Sequence, residues 1–133
     1  MTAPTFDGTF YERLGGEAGV KKLVSAYINT LKNDPAVANL LKQYERFSLP
    51  RYETRLCEFL SGWLGGPVLY QENHGLPMLR ESHRNICIDR SLMLDWVRCM
   101  QKAINETVAD PALRLQLTGR FTRMAQSLVN TGS

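Results

Sequence analysis

Apolar residues at Val20, Leu23, Val24, Tyr27, Ile28 and Leu31 recur at the i, i+3, i+4, i+7 spacing that places all of them on one face of an α-helix. The same period returns in Tyr52, Leu56, Phe59, Leu60 and Trp63, in Met93, Trp96, Val97, Met100, Ala103 and Ile104, and in Leu117, Phe121, Met124, Ala125, Leu128 and Val129. No stretch alternates apolar and polar residues as a half-buried strand must, and there is no internal repeat. A helix with one apolar stripe has to bury it against another element. Four such stripes predict an all-α fold built by packing helix on helix.

Punctuation residues set the boundaries. Gly15-Gly16 precede the first long helix and Asn33-Asp34 end it, and Pro35 suits the first turn of a short helix carrying Val37, Leu40 and Leu41. The largely polar Lys42 to Leu49 segment breaks the pattern. Ser48-Leu49-Pro50 reads as a helix start and Gly65-Gly66-Pro67 as its stop. Residues 68 to 76 read as loop, and Pro77 as the opening of a short helix through Ser82 and His83. Asp89 and the Asp110-Pro111 pair read as caps of the last two helices, and Asn130 to Ser133 as a polar tail. Loops of such unequal length fit an irregular pack better than a symmetric bundle.

Composition then removes whole classes of function. With 133 residues, 44% of them hydrophobic, the expectation is one domain over residues 1–133; such a chain buries about two-thirds of its unfolded surface and needs no disulfide framework or zinc staple. Cys57, Cys87 and Cys99 are widely spaced and read as reduced core thiols. No apolar run approaches the roughly 20 residues of a membrane span, and Met1 to Phe10 lacks the basic and apolar parts of a secretory signal. No membrane association and a cytoplasmic address are therefore expected. The net charge of +3 is scattered, so nucleic acid is not an expected partner. Phosphate-loop, zinc-protease, EF-hand and nucleophile-elbow motifs are missing. His74 and His83 lie on either side of Pro77, too far apart for a chelating pair on one helix turn. Periodicity and motifs alone thus lead to a helical domain with no indicated enzyme activity.

Three stretches carry more. Tyr11-Glu12-Arg13-Leu14-Gly15-Gly16 runs into the helix that holds Tyr27. Phe59-Leu60-Ser61-Gly62-Trp63-Leu64-Gly65-Gly66-Pro67 is followed by Tyr70 and by His74-Gly75-Leu76-Pro77-Met78-Leu79-Arg80-Glu81-Ser82-His83. Asp95-Trp96-Val97-Arg98-Cys99-Met100 places a tryptophan on the next long helix, and Met124 to Asn130 close the pattern. In residue type and spacing, from about Tyr11 to Asn130, these stretches resemble the truncated haemoglobins, the shortened globins that pack two helices on two, and among them the second group.

That resemblance implies a truncated-globin 2-on-2 helical sandwich holding haem (heme b) through an iron ligated by His83. It places Trp96 on the distal side, where an indole N–H can donate to a ligand, and puts Leu56 and Phe59 on the helix that roofs that side. Arg55 becomes the rim cation for a haem propionate, with Tyr70 and Arg80 as further propionate candidates, while Leu79 and Ile88 pack against the proximal face and edge. Two positions depart from the family. Counted without gaps between Gly15-Gly16 and Asp34, the usual distal tyrosine falls on Ile28, with Tyr27 in the neighbouring core position; the aromatic beside the haem falls on Leu41. The segment up to Leu56 is about three residues longer than the family pattern, so Tyr44 or Phe47 is expected to fill the gap. Tyr52 takes the position over the iron, where its hydroxyl either replaces the missing donor or points outward as a surface tyrosine.

The implied function is reversible binding of a diatomic ligand, namely oxygen, nitric oxide or carbon monoxide, by a monomer or weak dimer, with oxygen transport as one use. The alternatives are a haem enzyme that consumes nitric oxide or peroxide with electrons from a separate reductase, and a haem-free globin-like interaction module.

Overall fold

The computed structural model describes residues 8–45, 48–84 and 86–130. Their regular elements are helices: α1 (Phe10–Leu14), α2 (Gly16–Asn33), a 3-10 turn (Pro35–Val37), α3 (Ala38–Glu45), α4 (Leu49–Trp63), α5 (Leu69–His74), α6 (Leu79–Ser82), α7 (Arg90–Thr107) and α8 (Pro111–Ser127). No helix among these residues is long and apolar enough to cross a membrane.

Local chemistry explains where the elements begin. Thr9 and Glu12 form a reciprocal capping box at α1, with the Glu12 N–H donating to Thr9 Oγ1 at 3.1 Å and the Thr9 N–H to Glu12 Oε1 at 3.0 Å. Side-chain oxygens of Ser48, Asp89 and Asp110 accept from backbone N–H groups in the first turns of α4, α7 and α8, and Pro50 and Pro111 sit where no N–H is needed. Between α1 and α2 the chain reverses through Gly15 at φ 112°, a left-handed conformation that side chains other than glycine adopt at a cost.

α2 packs against both α4 and α7, and α7 packs in turn against α8, so two helix pairs lie one on the other. Their facing stripes form one core. Leu23, Val24, Tyr27, Leu60, Cys99, Ala103, Ile104 and Leu117 are each fully enclosed. Three boundaries differ from the periodicity reading. α3 continues through Lys42 to Glu45, α5 occupies most of the stretch read as loop, and α6 begins at Leu79 and not at Pro77. Asn130 does not behave as tail, because it is hydrogen-bonded to Ile88. Phe47 lies outside the described residues.

Candidate functional site

An apolar cavity opens among the helices. α3 and α4 supply Leu40, Tyr44, Tyr52, Leu56 and Phe59; α7 supplies Leu92, Met93 and Trp96. α6 and the segment after it supply Leu79, His83, Ile86 and Ile88, and the end of α8 adds Met124, Ala125 and Leu128.

His83 follows α6 directly and brings an imidazole to this apolar wall. Its Nδ1 lies 2.7 Å from the Leu79 carbonyl oxygen. A carbonyl only accepts, so Nδ1 donates, and in the neutral ring Nε2 then carries the lone pair. The main-chain N–H of His83 also donates to Leu79 O at 3.1 Å, which ties ring and backbone to the same turn.

A second polar group in the cavity is made of phenols. The hydroxyls of Tyr27 and Tyr52 are 2.8 Å apart, and the Tyr44 ring stacks on Tyr52 with centroids 4.3 Å apart. Trp96 packs its ring 6.0 Å from that of Tyr27, and its indole N–H can only donate. Burial pushes the pKa of all three phenols well above the ordinary value of 10.0, reinforced by the neighbouring tyrosines, so each remains a neutral O–H. The Tyr27–Tyr52 link uses one hydroxyl proton. The two hydroxyls carry two protons, so one is left to donate to a guest.

Of the residues singled out in the sequence, His83, Tyr52, Trp96, Leu56, Phe59, Leu79 and Ile88 come together on this cavity. Tyr52 turns inward, with its hydroxyl on that of Tyr27, and so does not point outward as a surface tyrosine. Ile28 is buried at 6% exposure but is not among the lining residues, and the hydroxyl that α2 presents to Tyr52 belongs to Tyr27. Leu41 is likewise outside the lining, where its neighbour Leu40 and the aromatic Tyr44 stand instead. Arg55 is half-buried on α4 and is not among the lining residues. Tyr70 packs edge-on to Phe59 and beside His74, and Arg80 donates from Nε to Ser127 O at 3.3 Å. His74 is away from the cavity, with Nε2 on Glu58 Oε1 at 2.8 Å. Against a desolvation penalty, this bond and one from Asn73 hold the Glu58 carboxyl below its usual range. Met124 escaped attention because, in sequence, a cavity wall and a core contact have the same apolar period.

The profile of the bacterial-like globin family matches residues 9–130. The chain belongs to the bacterial-like globins. Its relatives place it among the group II truncated haemoglobins. It is 33% identical over 120 residues, covering 90% of this chain and 87% of the other, to the group 2 truncated haemoglobin YjbI of Bacillus subtilis. Its fold is similar to that of a cold-adapted truncated haemoglobin from the Antarctic marine bacterium Pseudoalteromonas haloplanktis. There the TM-score is 0.87 at 38% identity, over 94% of this chain and all of the other. A group II 2-on-2 haemoglobin from Agrobacterium tumefaciens superposes with a TM-score of 0.90 at 29% identity, over 98% of this chain and all of that one. The architecture of this globin is accordingly the truncated 2-on-2 fold.

The family implies haem, and the cavity of this globin fits one. Its walls are apolar, as a porphyrin face requires, and one imidazole reaches it. Among the described residues no group of three or more His, Cys, Asp or Glu side chains could hold a metal ion. A lone imidazole suits a metal whose remaining ligands come from a macrocycle.

Proposed function

We propose that this globin holds one haem b in the apolar cavity, with His83 as the proximal iron ligand, and binds oxygen, nitric oxide or carbon monoxide reversibly. The observation that carries the reading is the pairing, in one apolar cavity, of a tautomer-fixed imidazole with a buried cluster of neutral O–H and N–H donors. When bound, the haem supplies the iron at which a diatomic ligand is taken up and released. The chain supplies the rest. Leu56, Phe59, Leu79, Ile88, Met93 and Met124 exclude water from the macrocycle, and His83, oriented by Leu79 O, presents Nε2. The Tyr27–Tyr52 pair, through its one remaining hydroxyl proton, and the Trp96 indole N–H donate hydrogen bonds to the guest. Arg55, Tyr70 and Arg80, which stand outside the apolar lining, are the polar groups assigned to the propionates.

The test is spectroscopic. The purified protein, loaded with haem and reduced, should give a Soret band that shifts on exposure to carbon monoxide, and pyridine treatment should report haem b. His83→Ala should lose the ferrous iron–histidine vibration or the haem itself, while His74→Ala keeps both. The opposite pattern in the two variants overturns the ligand assignment.

A further inference from the structure

Asn130 lies past the end of α8, yet it makes four hydrogen bonds to the segment that follows α6. Its backbone N–H donates to Ile88 O at 2.9 Å, and its Oδ1 accepts from the Ile88 N–H at 2.8 Å. Its Nδ2 donates to Ile86 O at 2.9 Å and to His83 O at 3.3 Å. Ile86 and Ile88 lie outside any helix, so their main-chain groups have no helical ladder to satisfy them, and buried peptide groups must find partners elsewhere. One amide side chain serves two of them, the Ile88 N–H and the Ile86 carbonyl, and adds a second bond to the His83 carbonyl, which also accepts from the Ile86 N–H at 3.0 Å. All three residues it holds, His83, Ile86 and Ile88, line the cavity.

We propose that Asn130 is a positioning residue for His83. The proposal rests on the reading of His83 as the proximal iron ligand. Leu79 O fixes the imidazole from the N-terminal side, through Nδ1 and the His83 N–H. On the C-terminal side the His83 carbonyl accepts from the Ile86 N–H at 3.0 Å, and there the Nδ2 of Asn130 grips the carbonyls of His83 and Ile86 together. With both ends held, the ring keeps one tilt in the cavity. Asn130→Asp is the discriminating change: it keeps the acceptor for the Ile88 N–H and the backbone bond to Ile88 O, but sets a carboxylate oxygen against two carbonyl oxygens.

The experiment uses the haem-loaded ferrous protein and reads the iron–histidine stretching band together with the rate of haem transfer to an apo-globin acceptor. Asn130→Asp and Asn130→Ala should shift or broaden the band and speed haem loss by about tenfold, the lower end of what losing an outer partner costs a metal site. In a His83→Gly protein carrying free imidazole the ring is no longer tethered to the segment, and Asn130→Asp should there add nothing. An unchanged band and rate in both Asn130 variants overturns the proposal. So does an equal effect in the imidazole-carrying background, or a loss of far-ultraviolet helix signal in Asn130→Asp, since either makes Asn130 a packing or folding residue. If His83→Ala abolishes the band while the Asn130 variants are silent, this inference alone falls. If His83→Ala leaves the band intact, the ligand assignment falls and takes this inference with it.

Discussion

The hydroxyls of Tyr27 and Tyr52 share one proton between them across 2.8 Å, so each sets the direction in which the other can donate. Removing either should cost bound ligand a neutral hydrogen bond, about 0.5–1.5 kcal/mol, and speed oxygen dissociation by several-fold, since roughly 1.4 kcal/mol is tenfold. Removing both should not cost the sum. We expect Tyr27→Phe, Tyr52→Phe and the double variant to show a coupling of about 0.5 kcal/mol or more in a double-mutant cycle on oxygen dissociation rates. Strict additivity would show that the two phenols address a ligand independently. The residue types of this cluster were legible in the sequence, but their register was not. Tyr27 and Ile28 are adjacent on α2 and both buried, so an apolar period cannot say which of them reaches the site. Counting without gaps to Asp34 selected Ile28; neither residue is among those lining the cavity, and it is the hydroxyl of Tyr27 that meets Tyr52. Tyr52 and Trp96, each on a helix bounded by clear caps, line the cavity.

At the scale of elements, the close approach of α1 to α2 depends on Gly19. A Cβ at that position would lie 2.0 Å from the Leu14 carbonyl oxygen and 2.6 Å from its carbon, both backbone atoms that cannot swing aside. α1 is also fastened by the Tyr11 N–H to Leu64 O at 2.9 Å and by Arg13 to Gln116 at 2.9 Å, so it has little freedom to retreat. Gly19→Ala should destabilise by about 1–3 kcal/mol through overpacking. Gly119→Ala on α8 meets only the tip of Arg123 at 3.5 Å, and should stabilise by about 0.5–1 kcal/mol from helix propensity. Thermal melts of the two variants should therefore move in opposite directions, and movement in the same direction would refute the account of α1. The long helices were readable because each buries a stripe. α5 was not, because none of its residues from Leu69 to His74 is buried and no apolar period survives there. The last turns of α3 were hidden for a related reason, since Lys42 and Gln43 look like loop while Tyr44 behind them packs inward on Tyr52.

The molecule as a whole should be sensitive to alkali. Burial raises the pKa of Tyr27, Tyr44 and Tyr52 well above 10.0 and that of Cys57 and Cys99 from 9.0 to about 11. A group whose folded pKa lies above its unfolded value contributes its stability fully below the unfolded pKa and loses it as pH climbs toward the folded one. Stability should thus be flat up to about pH 9, decline as the thiols of the unfolded chain ionise, and fall more steeply above about pH 10 where its phenols do. Phenolate absorbance from these three tyrosines should appear together with the loss of helix signal. Replacing all three by phenylalanine should shift the alkaline midpoint upward. Titration of all five tyrosines in the folded protein, in one step near the ordinary phenol value, would contradict this.

The reach of Asn130 back to His83 also has a consequence in time. A chain grows from its amino end at about 5–20 residues per second, and these residues are 47 positions apart, so the histidine leads the amide that steadies it by roughly 2–9 s of synthesis. Met124 and Ala125, part of the same wall, arrive within that interval. A nascent chain that has exposed His83 holds its imidazole through the Leu79 carbonyl but without the Asn130 amide. Durable capture of haem is therefore a step for a chain already translated through α8.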